Sequence, residues 1–178
     1  EKRLDIYLKA ASTQTKRTAS HIFGLISPHA GYDYSGQVAA YAYNQIKDRD
    51  YKTVIIIGPS HQVPFRGISI YPVGSWETPL GTVQVDNKTA KTLMDNCNAI
   101  KVYPAAFARE HSLEVQLPFL QKTLKSFKIV PLAVGFIEKD DYKRLSDALL
   151  RLLEQNPKDI LFVASSDMSH YHSYNKAS

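Results

Sequence analysis

Little in this chain assigns it quickly to a class. Among its 178 residues there is a single cysteine, Cys97, so no internal disulfide can form, and a lone thiol suits a reducing compartment such as the cytoplasm. No apolar run approaches the roughly 18 residues of a membrane-spanning helix, and no signal-peptide pattern opens the chain, so no membrane partner is expected. Lysine and arginine outnumber aspartate and glutamate by 22 to 17, but they are scattered rather than blocked, which speaks against nucleic acid as a partner. A nucleophile elbow, a Walker A loop and a dinucleotide-binding glycine fingerprint are all missing. No repeat, low-complexity tract or linker interrupts the sequence, so one domain spanning residues 1–178 is the economical expectation. Its start at Glu1 and its stop at Ser178, in a polar stretch, lead us to expect a C-terminal truncation.

What is present is an alternation of apolar β-branched runs and helical spacings, the pattern of an α/β fold. Lys52–Gly58 is so uniformly apolar that it reads as a central parallel strand covered on both faces. Further strands are expected near His21–Ser27, Gly67–Tyr71, Phe127–Val134 and Ile160–Val163, with Ser75–Val85 as a loop leading to an edge strand. Helices are expected at residues 3–11, at Ser35–Lys47 with Ser35 as N-cap, and at Asn87–Asn96. Glu110–Lys125 looks helical despite Pro118, and Lys139–Glu154 would turn Tyr142, Leu145, Leu149, Leu152 and Leu153 inward. The expected architecture is a mainly parallel central sheet flanked by helices.

Three of the strands deliver a histidine just past their carboxyl ends, where ligands bind in open α/β sheets: His29 in PHAGYDYSG, His61 in GPSH and His170 in SSDMSH. Neutral imidazole is the commonest side-chain metal ligand, so His29 and His61 are candidate ligands. One such histidine could equally be hydrogen-bonding a turn, but three at corresponding places favour a site. Asp167 can orient His170 as a general base or a further ligand, or can simply cap a turn. His111 and Glu114, three apart at the start of an expected helix, either line the site or reflect the preference for acidic residues in a first turn. Tyr32 and Tyr34 can line its mouth. Cys97 has no partner histidine nearby and reads as structural.

Taken together, PHAGYDYSG, GPSH, WETPLG, EHSLEVQLPFL and SSDMSHY resemble the Memo family, whose microbial members are also called AmmeMemoRadiSam system protein B, from about Leu25 to Tyr171. That family is similar in fold to class III extradiol dioxygenases. The resemblance implies a divalent metal, Fe(II) ahead of Cu or Zn, with His29 and His61 as ligands and Asp167 and His170 as the catalytic pair. It implies a third ligand, a cysteine, downstream of Ser178. The function it implies is a metal-dependent redox enzyme of unspecified substrate. A non-enzymatic scaffold binding a peptide in the same crevice is the alternative, since one eukaryotic member is described as an adaptor.

Overall fold

A computed structural model describes residues 1–177. In chain order the elements are α1 (Lys2–Gln14), β1 (Gly24–Ser27), α2 (Tyr32–Asn44), β2 (Thr53–Pro59), β3 (Ile68–Ile70), β4 (Ser75–Thr78), β5 (Gly81–Gln84), α3 (Asn87–Asn96), β6 (Ile100–Lys101), α4 (Leu117–Thr123), β7 (Lys128–Val134), α5 (Lys139–Gln155), β8 (Ile160–Ser165) and a short α6 (Tyr174–Ala177). The main sheet runs β1-β8-β2-β7-β3-β6, with β3 antiparallel to β7 and every other pairing parallel. Helices cover both of its faces, as the sequence pattern predicts. Among the described residues no helix is long and apolar enough to cross a membrane.

The apolar run at residues 52–58 becomes β2, in the interior of the sheet between β7 and β8. Successive side chains of a strand point to opposite faces. Val54 and Ile56 therefore join the core formed with α1, α2 and α4, while Ile55 joins the one formed with α3 and α5. All three are fully buried, and each such side chain contributes roughly 1.5–3 kcal/mol on leaving water. In the first core Tyr43 of α2 stacks on Phe119 of α4 with centroids 5.0 Å apart.

Several local expectations are corrected. Helix α2 starts at Tyr32 with Gly31 as N-cap; Ser35 lies inside it and donates instead to the Ala30 carbonyl at 2.9 Å. The stretch 75–85 is a hairpin of β4 and β5 outside the main sheet, closed at Gly81, whose φ of +116° disfavours any side chain. No continuous helix spans 110–125: a 3-10 turn at Glu114–Gln116 precedes α4, and Pro118 sits in the first turn of α4, where a missing N–H costs nothing. His111 and Glu114 therefore do not share a helical face. In α5 the buried stripe is Leu145, Ala148 and Leu152, and Tyr142 in the first turn stays exposed.

Candidate metal centre

Strands β1, β8 and β2 are neighbours and parallel, so their carboxyl ends lie on one edge of the sheet. His29 follows β1, His61 follows β2, and Asp167 follows β8 between them. The His29 and His61 rings meet edge-on with centroids 5.1 Å apart. A third ring joins from the loop before the 3-10 turn: His111 stacks on His61 at 4.9 Å and meets His29 edge-on at 5.8 Å. Gly58 makes this approach possible, since a Cβ there would stand 2.8 Å from Ser112 Oγ and 2.9 Å from Leu113 Cδ2.

The protons on two of these rings follow from their partners. Ser165, the last residue of β8, donates its hydroxyl to the Ser112 carbonyl at 2.5 Å and accepts from Gln116 Nε2 at 2.9 Å. A hydroxyl has one proton to give, so the 3.0 Å contact between Ser165 Oγ and His29 Nδ1 is donated by the ring. The orientation of the Gln116 amide is set in turn: its Oε1 accepts from the buried Tyr43 hydroxyl at 2.7 Å and its Nε2 donates to the Pro28 carbonyl at 3.0 Å. His29 thus carries its proton on Nδ1 and leaves the Nε2 lone pair free. It also titrates below the ordinary histidine value, chiefly through burial, against which the Asp167 charge acts.

His61 is held in the same way by a carboxylate. Glu110 accepts from its backbone N–H at 2.5 Å and from its Nδ1 at 2.9 Å, and from the Ser112 N–H at 2.8 Å. Burial is the largest single influence on Glu110 and pushes its pKa up; the hydrogen bonds from His61 and Ser112 together prevail and bring it down to about 2. An ionised carboxylate can only accept, so His61 Nδ1 is the donor and its Nε2 is free. His61, Glu110 and His111 offer ligand atoms within 4.8 Å of one another. Glu110 already accepts three hydrogen bonds from its neighbours, which suits it better to orienting His61 than to ligation.

Asp167 ties the other side together. Its Oδ1 accepts from the N–H groups of His29 at 2.6 Å and Ala30 at 2.9 Å, and its Oδ2 lies 3.0 Å from His170 Nε2 and 3.7 Å from His29 Nε2. Its pKa is lowered: burial raises it, but those backbone hydrogen bonds and the charges of His29 and His170 outweigh that. His170 is half-exposed. Tyr34 is 88% exposed and lines a shallow cavity of about 530 Å³ shared with Asp167 and His170. Tyr32 donates to the Val115 carbonyl at 2.7 Å, and burial together with the Glu114 charge pushes its hydroxyl up to about 12. Tyr32, Glu110 and Glu114 line a second cleft, of about 470 Å³.

The structure thus brings His29, His61 and His111 together, sets Asp167 and His170 beside them, and puts Glu114 and Tyr32 in the neighbouring cleft. Cys97 is buried against α3 and α5, in the other core. Glu110, Ser165 and Gln116 were not singled out by the sequence, though Glu110 stands next to His111 in EHS. Two imidazoles with free Nε2 atoms, His29 backed by the Ser165 hydroxyl and His61 by the Glu110 carboxylate, are donors of a kind that fits Fe(II), Cu or Zn.

A family model described as Memo-like protein matches residues 1–177. A MEMO1 family protein of Caldivirga maquilingensis is 38% identical over 162 residues, covering 90% of this chain and 57% of that protein. One from Saccharolobus islandicus strain Y.G.57.14 is 40% identical over 162 residues, covering 89% of this chain and 57% of its own length. A third, from Sulfolobus acidocaldarius, is 40% identical over 153 residues, 85% of this chain and 54% of that protein. The chain therefore spans little more than half the length of the curated relatives it matches.

Proposed function

Since the chain belongs to the Memo-like protein family, we propose that it is a metal-dependent redox enzyme working at the imidazole cluster on the carboxyl edge of its sheet. The observation that carries this reading is the hydrogen-bond pattern that commits Nδ1 of both His29 and His61 and leaves both Nε2 atoms free. Those two atoms are the first ligands, and His111 supplies a third imidazole. Catalytic metal sites normally draw about three ligands from the protein. The sulfur ligand that the resemblance expects beyond Ser178 lies outside the described residues. Fe(II) is the first candidate, ahead of Cu and Zn, and when bound it supplies open coordination positions for O₂ and a substrate.

The chain's own residues do the rest. Ser165 and Glu110 hold two rings in the right tautomer, and Asp167 fixes the backbone of His29 and Ala30. His170, whose Nε2 is held by Asp167, takes or returns a proton at its other ring nitrogen, Nδ1, from a small molecule in the strand-end crevice. We place this chemistry in the cytoplasm, where a buried lone thiol such as Cys97 stays reduced.

Anaerobic calorimetric titration of the metal-free protein with Fe(II), followed by O₂-uptake measurements, tests the proposal. Binding of one equivalent is expected, and His29→Ala or His61→Ala should abolish it. Equal affinity in wild type and His29→Ala would remove the ligand assignment. Absence of metal binding together with peptide binding in the same crevice would favour a scaffold role.

A further inference from the structure

The cleft beside the imidazole cluster has walls and a charge that select a ligand class. Three half-buried rings line it, each nearly perpendicular to the others: Tyr71 and Trp76 at 5.7 Å and 87°, Tyr71 and Phe107 at 5.5 Å and 82°, Trp76 and Phe107 at 6.0 Å and 75°. The hairpin of β4 and β5 contributes Trp76, so the rings come from three separate stretches of chain.

The charges in this cleft are of one sign. Glu77, Glu110 and Glu114 line it and no lysine, arginine or histidine does, in a chain whose net charge is +5. Glu110 is committed to His61 and Ser112 and joins the cleft to the cluster. Glu77 and Glu114, both exposed, have no ion-pair partner among the described residues. Half-buried aromatic rings lining a cleft, with carboxylates at its rim, attract organic cations: ring quadrupoles and carboxylates act in the same direction. At about 470 Å³ the cleft is of small-ligand size.

We infer that this cleft binds a small organic ammonium compound, an amine protonated at neutral pH and carried on an apolar body. That it is the substrate rests on the metal-centre reading above; that it binds does not. The ammonium group sits in the cleft against the exposed side of the Tyr71, Trp76 and Phe107 cluster with Glu77 and Glu114 as counter-charges, and the body of the ligand extends toward Glu110 and the imidazoles.

Trp76 is the only tryptophan in the chain, so its fluorescence reports this cleft alone. The test titrates metal-free protein, in a buffer without amines, with benzylammonium, benzyl alcohol and benzoate. Benzylammonium should perturb Trp76 at roughly tenfold lower concentration than the alcohol, about the factor expected for a desolvated cation over an aromatic face, and benzoate should bind most weakly. Glu77→Gln and Glu114→Gln should each narrow that preference several-fold, with benzyl alcohol binding weakened far less than benzylammonium binding, and an unchanged Trp76 emission spectrum without ligand reports an intact cleft. Equal or tighter binding of the alcohol or of benzoate would overturn the inference, as would a preference untouched by both substitutions. Since the assay contains no metal, a protein that binds benzylammonium but not Fe(II) would retain this site and lose only the redox reading.

Discussion

Ser165 is buried behind His29, yet its one hydroxyl decides which nitrogen of that ring is free. Replacing it by alanine leaves His29 Nδ1 without an acceptor and Gln116 Nε2 with only the Pro28 carbonyl. We expect Ser165→Ala to lower metal affinity by roughly 10–100-fold, as for other lost partners of a ligand. Ser165→Thr, which keeps the hydroxyl, should recover most of it. Long-range ¹⁵N–¹H spectra of the metal-free protein should show His29 as one tautomer in the wild type and as a mixture in the alanine variant. An unchanged tautomer would show that Ser165 does not set it. At this scale the histidines were legible, because strand ends announce themselves in sequence. Ser165, Gln116 and Glu110 were not, because each acts on a partner far along the chain, as Glu110 does on His61 across 49 positions.

Among the elements, the segment from Glu110 to Gln116 departs furthest from what its composition suggests. Its apolar spacing reads as helix, but Glu110 is drawn down to the N–H groups of His61 and Ser112, and Ser112 Oγ donates to the Pro59 carbonyl at 2.8 Å. These bonds hold the segment against the end of β2 and leave only a 3-10 turn before α4. Gly58 is the place where this packing is tightest. Gly58→Ala should therefore destabilise the protein by about 1–3 kcal/mol, as overpacking usually does, and should move His111 away from His61. Denaturant unfolding measures the first effect. The second appears as metal affinity lost by more than the change in folding stability accounts for. Native affinity in Gly58→Ala would mean that His111 is not a ligand. Strand β2 and helix α3, by contrast, form close to where the sequence places them, since a uniform apolar run carries its meaning locally; the structure adds that Asp86 caps α3 by accepting from the Thr89 N–H.

For the whole molecule, stability should depend on pH in two steps. His29 titrates below its ordinary value of 6.5, so the unfolded chain takes up its proton first and metal-free protein should lose stability as pH falls through about 6.5. Glu110 titrates at about 2 against an ordinary 4.5, so its contribution is present above 4.5 and drains away as pH falls toward 2, with Asp86 and Asp167 acting in the same direction. Urea midpoints from about pH 8 to about pH 3 should therefore fall twice, and Glu110→Gln should flatten the lower step. A midpoint that rises on acidification from neutrality would refute the His29 part. The sequence by itself determined the α/β class, the two-sided burial of the central strand and the strand-end positions of His29, His61 and His170. These follow from periods of two and 3.6 residues and from turn residues, which are local properties. Only the tertiary structure decided that His111 completes the cluster, that Glu110 and Ser165 set the proton positions, and that Tyr71, Trp76 and Phe107 share one cleft. Those relations depend on strand order and on hydrogen bonds between distant segments, and no local pattern in the chain encodes either.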